Sequence, residues 1–300
     1  MAATHKFGGD WTEEKLESIR RYLVEYTKIF TVNEAASKFD TIYVDAFAGT
    51  GNRSLPREGS NTAVSMFEEP DLVDVEADGI RKGSARIALE LEPGFDTYVF
   101  FEKRHGFVQE LEALRVAFPG KAHRLQIEQG DANEKLRDWC KNTNWKVHRA
   151  VVFLDPYGME VEWQTIVTLA ETKAVDLWIL FPVGQAVNRL LTRNGPPDGL
   201  WAEKLTRMFG TSAWREEFYK PRVQTSFLED AEALEKVADF DTIGDFFVRR
   251  LMEVFAKVAE KPRPLYNSKH VPIFLLCFAA ANPKGAPIAV RIAQHILQMK

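Results

Sequence analysis

The sequence predicts an α/β protein in which a mostly parallel sheet lies between two layers of helices, a three-layer αβα sandwich. Apolar strand patterns alternate with helical patterns from residue 41 to residue 181. Two of these strand segments, 151–154 and 177–181, contain only apolar residues, which is typical of strands buried on both faces of a parallel sheet. Hydrophobic residues make up 45% of the chain and charged residues 27%, so disordered, collagen-like and disulfide-stapled classes are excluded.

The elements of this sheet follow one another along the chain. An amphipathic helix is predicted first, at 11–30, because apolar residues recur there at steps of three and four. The strands predicted next are 41–47, 97–101, 123–128, 150–154 and 175–181, and the helices between them are 84–91, 107–118, 133–141 and 163–170. Two further strands, 264–269 and an antiparallel one at 271–281, precede a last helix at 286–299 and complete a seven-stranded sheet.

Two stretches interrupt this pattern. Between Glu58 and Asp78 there are seven acidic residues and no basic one, so residues 58–82 are predicted to be an acidic surface insertion. Residues 185–262 carry helical patterns at 201–209, 228–238 and 243–258 and are predicted to form an inserted helical subdomain. Residues 1–184 and 263–300 then make up the sheet domain.

The first strand breaks into a glycine turn. Gly49 and Gly51 follow Asp45 closely and allow the backbone to turn tightly and to approach a flat ligand. A dinucleotide fingerprint would need a third glycine where Ser54 stands, and a P-loop would need a Gly-Lys-Ser/Thr run that is absent. Nicotinamide cofactors and ATP are therefore disfavoured, and S-adenosylmethionine is the nucleoside ligand that remains.

Acidic residues follow the next two strands in register. Because the carboxyl ends of parallel strands meet at one edge of a sheet, Asp45, Glu102 and Asp131 are expected to line one crevice. Asp45 would lie near the methionine moiety, Glu102 on the ribose hydroxyls and Asp131 at the adenine amino group, with Phe47 and the two glycines completing the cofactor site. Taken singly, each acid also fits a solvated strand end or a helix cap; three in register favour the binding interpretation.

The fourth strand ends in Asp155, Pro156, Tyr157 and Gly158. The Asp155 carboxylate and the Pro156 carbonyl would accept hydrogen bonds from a substrate amine and aim its lone pair at the methyl group, while Tyr157 packs on the substrate ring. The alternative interpretation is an ordinary strand-end turn. Methyl transfer of this kind requires no metal.

These motifs resemble those of Rossmann-type S-adenosylmethionine-dependent methyltransferases, notably the amino-methyltransferase branch, and more closely those of the bacterial three-Cys-motif partner protein family. The resemblance covers most of the chain outside 58–82 and 185–262, and it rests on 15–30, 45–51, 83–85, 100–103, 153–158 and 264–266. It implies a Rossmann-like fold and work beside a separate protein with a three-cysteine motif like that of radical S-adenosylmethionine enzymes. Cys140 and Cys277 are the only cysteines and cannot supply such a cluster. The single proline before Tyr157 departs from the amino-methyltransferase pattern.

Charge and targeting signals bear on partners and location. The net charge of -4 argues against a strongly basic nucleic-acid coat, but basic residues flank the predicted crevice segments and would form a rim for DNA or RNA if they converge: Arg53, Arg57, Arg81, Lys82, Arg86, Arg189, Arg193, Lys204, Arg207, Lys261, Arg263 and Lys269. The alternative is a set of solvated helix faces. Without a signal-peptide pattern or a membrane-length apolar run, we expect a cytoplasmic protein. Two functions stay open: an amine methyltransferase, or a catalytically silent scaffold for the three-cysteine partner.

Overall fold

The computed structural model describes residues 10–49, 52–53, 81–156, 158–222 and 233–299. Most of the predicted acidic insertion lies outside the described residues, as do Gly51 and Tyr157. The strands of the described part are β1 Asp40–Asp45, β2 Asn52–Arg53, β3 Arg81–Lys82, β4 Thr97–Glu102, β5 Leu125–Gln129, β6 His148–Leu154, β7 Val175–Phe181, β8 Tyr219–Pro221, β9 Leu234–Lys236, β10 Lys257–Val258, β11 Arg263–Tyr266 and β12 Pro272–Ala280.

Helices connect these strands. In chain order they are α1 Asp10–Val32, α2 Ser84–Glu90, α3 His105–Ala117, α4 Ala132–Asn142, α5 Trp163–Glu171, α6 Asn188–Leu190, α7 Gly199–Phe209, α8 Trp214–Phe218, α9 Phe240–Val254 and α10 Ala286–Gln298. A 3-10 turn at Ala122–Arg124 precedes β5, and a π-helical turn at Val183–Val187 follows β7. Among the described residues, no helix is both long and apolar enough to cross a membrane.

The main sheet has eight strands, and the predicted architecture is confirmed. Its order is β10-β12-β7-β6-β1-β4-β5, with β11 also paired to β12. Neighbours from β7 to β5 run parallel, whereas β12 is antiparallel to β7. Both β10 and β11 pair with β12, near opposite ends of it, so the outermost of the sheet's seven positions holds two short strands in succession. This split explains why eight strands occur where seven are predicted.

The sheet separates two hydrophobic clusters, because successive side chains of a strand point to opposite faces. Tyr43 belongs to the cluster formed with α1, α2, α3 and α10, and its neighbour Val44 belongs to the cluster formed with α4, α5, α7, α8 and α9. The second cluster includes the buried apolar side chains of the segment 185–262 apart from Ala259, which belongs to the first. Phe247 of α9 stacks on Phe181 of β7 with ring centroids 4.0 Å apart. The segment thus shares its core with one face of the sheet.

One predicted helix in that segment is wrong where the structure describes it. Residues 234–236, within the helix predicted at 228–238, form β9, which pairs antiparallel with β8. Tyr219 lies opposite Lys236, and the Lys236 amide donates to the Arg193 carbonyl at 3.1 Å. Pairing with residues distant in sequence therefore overrides the local helical pattern.

Candidate functional site

Asp45 ends β1 with a side chain that is wholly inaccessible to solvent. Ser84, the first residue of α2, donates a hydrogen bond from its Oγ to Asp45 Oδ2. The other oxygen, Oδ1, is buried and has no hydrogen-bond partner among the described residues. Burial raises the pKa of Asp45 from 3.8 to about 7, although the Ser84 hydrogen bond opposes this effect. A buried carboxylate oxygen thus remains free to accept a bond at the carboxyl edge of the sheet.

The glycine turn after β1 is held between β6 and β4. The Ala46 amide donates to the Phe153 carbonyl and the Ala48 amide to the Phe101 carbonyl, both at 3.3 Å. Gly49 has a φ of 58°, in the left-handed region that glycine adopts without steric cost, and its amide donates to Glu102 Oε2 at 3.0 Å. Phe47 is partly buried and packs against the cluster on the α4 and α5 face.

Glu102 and Asp131 lie at the same edge, after β4 and within the turn after β5. Glu102 is buried, and its second oxygen accepts the Arg104 amide at 2.8 Å. Asp131 is the N-cap of α4: its Oδ1 accepts the amide of Asn133 at 3.0 Å and that of Glu134 at 3.4 Å. The structure therefore brings the predicted acids to neighbouring strand ends. Glu102 and Asp131 also accept hydrogen bonds from backbone amides of the adjacent turns.

Asp155 follows β6 and is paired with a residue that sequence reasoning missed. The Nζ of Lys15, on α1, lies 2.5 Å from Asp155 Oδ2, and the Lys15 side chain is only 1% exposed. The Asp155 side chain is 21% exposed, and Pro156 beside it is buried. The signal for Lys15 was a cation within the apolar stripe of the first helix, where a charge is costly to bury without a partner.

The end of β7 adds a second polar group that was not predicted. Gly184, in the π-helical turn, approaches the Pro272 carbonyl so closely that a Cβ there would stand 2.0 Å from the oxygen. The next residue, Gln185, has a buried Oε1 without a hydrogen-bond partner among the described residues. The Trp11 ring at the start of α1 lies tilted against the Phe274 ring of β12, with centroids 5.2 Å apart. The beginning of α1 therefore lies close to β12 as well as to Asp155.

Other predicted residues lie elsewhere. Arg263 does not face the crevice, because its guanidinium donates to the Leu297 carbonyl at 3.1 Å and to Ser18 Oγ at 3.3 Å, tying β11 to α10 and α1. Lys261 exchanges backbone hydrogen bonds with the Gln294 side chain of α10. Arg263 therefore does not join a basic rim at the crevice, one of the two arrangements that the sequence left open.

Two open grooves of about 640 and 680 Å³ are separate from these strand ends. The first lies between α5 and α7 and includes Trp163 and Arg207; the second lies beside β10 and α10 and includes Lys257 and Arg291. Neither is lined by the acids described above. The chemistry of the carboxyl edge, rather than groove size, identifies the candidate site.

The sheet order decides the fold. The sheet has five parallel strands in the order β7-β6-β1-β4-β5. Strand β12 lies antiparallel beside β7, and β11, outside β12, again runs parallel to β7. Helices cover both faces of this mixed sheet. The fold is that of Rossmann-like methyltransferases. Ligands of such open α/β sheets bind outside the carboxyl ends of the strands, which is where Asp45, Glu102 and Asp155 lie.

Comparisons with known proteins add no family relationship. No family model matches the chain, and no curated protein matches it. Among solved structures, protein LPL1258 of Legionella pneumophila, of the family designated DUF519, has 14% identity and a TM-score of 0.46, covering 93% of this chain and 91% of its own. The magnesium protoporphyrin IX methyltransferase of Synechocystis PCC 6803, with bound S-adenosylhomocysteine, has 9% identity and a TM-score of 0.34, covering 90% and 87%. A spermidine synthase with a transition-state analogue has 9% and 0.41, covering 91% and 60%.

Proposed function

We propose that the protein is an S-adenosylmethionine-dependent methyltransferase that acts on an amine. The observation that carries the proposal is the buried Oδ1 of Asp45 at the end of β1, which has no hydrogen-bond partner within the described part of the chain. It lies beside a glycine turn that begins in the left-handed region. A ligand with a cationic amino group and no phosphate suits that oxygen, because a buried carboxylate gains from a charged donor. The residues present therefore fit the cofactor.

Each predicted cofactor residue has a role in this proposal. Asp45 accepts from the amino-acid end of the cofactor, and Glu102 accepts from the ribose hydroxyls while keeping the Gly49 amide in place. Asp131 would offer its second carboxylate oxygen to the adenine amino group, since Oδ1 caps α4. Phe47 provides apolar contact, and Gly51 is assigned to the same site from the sequence motif alone.

The acceptor site is proposed to form around Asp155, Pro156 and Tyr157. A bound cofactor would supply an electrophilic methyl group on a sulfonium. Formation of the C–N bond would break the C–S bond, and the proton released from the nitrogen would pass to water. Asp155 and the Pro156 carbonyl accept the two N–H groups of one nitrogen and so direct its lone pair. The exocyclic amine of a nucleobase, adenine first, presents this pair once the base is flipped or single-stranded.

Calorimetric titration tests the cofactor assignment. S-adenosylmethionine and S-adenosylhomocysteine should bind with micromolar affinity, on the order of -8 kcal/mol. Glu102→Ala should weaken binding by about 1 to 3 kcal/mol, because charge-assisted hydrogen bonds are lost. Tight NADH binding with no response to S-adenosylhomocysteine would reject the assignment.

Transfer of a tritiated methyl group to pools of DNA, RNA and protein tests the acceptor. Wild type should label nucleic acid, and Asp155→Ala should not. Because the net charge is -4, binding should rest on few phosphate contacts and fall only moderately with salt. Labelling of protein alone, or equal labelling by the variant, would reject the nucleobase amine while leaving the cofactor site standing.

We further propose that the chain works beside a protein with a three-cysteine motif. Both cysteines of this chain are buried, and burial raises the pKa of Cys140 to about 12 and that of Cys277 further, so neither thiolate is available to a cluster. Co-expression with a genome neighbour that carries three closely spaced cysteines should yield a complex. A complex without methyl transfer would favour the scaffold alternative, and separate elution at high concentration would reject the partnership.

A further inference from the structure

A buried lysine faces the candidate acceptor site from a different part of the chain. Lys15 reaches Asp155 Oδ2 at 2.5 Å across 140 residues of sequence. Its ammonium also lies 5.1 Å from the centre of the Trp11 ring, and its charge acts on Asp45. Lys15 therefore contacts the carboxylate of the acceptor side and acts electrostatically on the carboxylate of the cofactor side.

The position of Lys15 is set by the rest of α1. Tyr22, two turns further along the same helix face, donates from its hydroxyl to Asp176 Oδ2 at 2.6 Å, and Ile19 between them is fully buried. Asp176 is the second residue of β7, whereas Asp155 follows the end of β6. Helix α1 thus crosses the face of the sheet and is fixed near its start and at its middle by partly buried polar contacts, which hold Lys15 in place.

A structural ion pair alone does not account for this arrangement. Burying an ammonium carries a desolvation penalty that a well-packed apolar side chain would avoid, and α1 already buries an apolar stripe that includes Ile19 and Leu23. The partner carboxylate is also the exposed member of the pair, at the edge where ligands bind. The pair thus places a charge where an acceptor would meet it.

We propose that Lys15 is a positioning residue that acts through Asp155 and selects neutral, planar amines as acceptors; this rests on the proposed methyltransferase function. With Oδ2 held by Lys15, Asp155 presents Oδ1 to the acceptor in one orientation. The ammonium also cancels the charge of the carboxylate, so the acceptor site does not attract a protonated alkylamine such as a polyamine or a lysine side chain. A nucleobase amine keeps its two N–H donors and carries no charge, and it meets both conditions.

Methyl transfer by Lys15→Met and Lys15→Gln tests this role. Both variants should lose about 100-fold in kcat on a single-stranded adenine-containing oligonucleotide, as expected when a reacting group is misplaced. Binding of S-adenosylhomocysteine, measured by calorimetry, should stay within about threefold, since removal of a charge near Asp45 changes that site only indirectly. The matched control is Lys28→Met on the same helix, whose side chain is 55% exposed and pairs with Glu25; its kcat should not change.

The pair is tested by a double variant and by a change of acceptor. In an Asp155→Asn background, Lys15→Met should lower kcat by less than a further factor of about two, because Lys15 acts through that carboxylate. Lys15→Met should also bind spermidine more tightly than wild type does. Full activity of Lys15→Met, or losses that multiply in the double variant, would overturn the role of Lys15 while the methyltransferase stands. A wild type that binds no S-adenosylhomocysteine and methylates nothing would overturn the proposed function and this role together.

Discussion

The burial of Asp45 predicts that the stability of the protein falls as pH rises. Its pKa is raised from 3.8 in the unfolded chain to about 7 in the folded one. Between these values the folded state keeps the proton while the unfolded state releases it, so the free energy of unfolding decreases with pH. The contribution is fully present below about pH 4, is lost as pH rises to about 7, and changes no further above that.

The size of this loss follows from the difference between the two pKa values. That difference is about three pH units, and at about 1.4 kcal/mol for each unit it corresponds to an upper bound of about 4 kcal/mol. Asp45→Asn removes the titration but keeps an oxygen for the Ser84 hydroxyl. Between about pH 5 and about pH 8, the free energy of unfolding of wild type should therefore fall by about 3 kcal/mol relative to that of this variant. Asp176, whose pKa burial also raises to about 7, is present in both proteins and cancels.

Urea unfolding at several pH values, with wild type and Asp45→Asn side by side, measures the difference. Asp138→Asn is the control, because the Asp138 side chain is 71% exposed and this variant keeps the buried carboxyl of Asp45. A difference between wild type and Asp45→Asn that stays constant from about pH 5 to about pH 8 would refute the reasoning, since it would mean that Asp45 is ionised throughout in the folded protein.

Two further predictions compare matched pairs of variants. Gly210→Ala should lower the free energy of unfolding by about 3 kcal/mol or more, because φ is 68° and the new Cβ would stand 2.0 Å from Trp163. Gly195→Ala should lower it by about 1 to 2 kcal/mol, because φ is 92° but the new Cβ would meet no neighbouring atom within 4 Å. Thermal or urea unfolding measures both. Equal costs would show that Trp163 moves aside freely. Asn133→Leu should lower the free energy of unfolding by about 3 kcal/mol, because the buried Asn133 side chain makes three hydrogen bonds of 2.9 Å to neighbouring groups. Gln185→Leu should lower it by less than about 1 kcal/mol, because the buried oxygen of Gln185 has no partner in the described part of the chain. A comparable loss in Gln185→Leu would contradict the assignment of a free oxygen.

Local patterns were sufficient for the parts of the fold that depend on neighbouring residues. The strand at 175–181 was predicted with the bounds that the structure has, because its apolar residues are interrupted only at Asp176 and the pattern ends at Pro182. Helix α2 begins at Ser84, directly after the glycine at 83, as predicted. The acids at the ends of β1 and β4 could be placed at one edge because parallel strands impose that arrangement.

Long-range contacts were beyond such patterns. Lys15 and Asp155 are 140 residues apart, and nothing in the helical periodicity of α1 shows which strand end its lysine reaches. The strand predicted to continue to residue 269 stops at Tyr266, where the Asn267 side chain accepts the amides of Lys269 and Val271 and turns the chain. Pairing of β9 with β8 likewise depends on a partner rather than on the residues of β9 themselves.

The divided outer position of the sheet has a consequence for behaviour in solution. An unbroken, flat edge strand offers a row of free backbone donors and acceptors on which a second sheet can assemble into aggregates. Here β10 and β11 are only two and four residues long, and Pro262 and Pro264 remove two amide donors at the break and just after it. Lys257 and Lys261 are exposed along the same edge and add charge repulsion. This edge of the sheet is therefore too short and too charged to serve as a template for growing β-sheet aggregates.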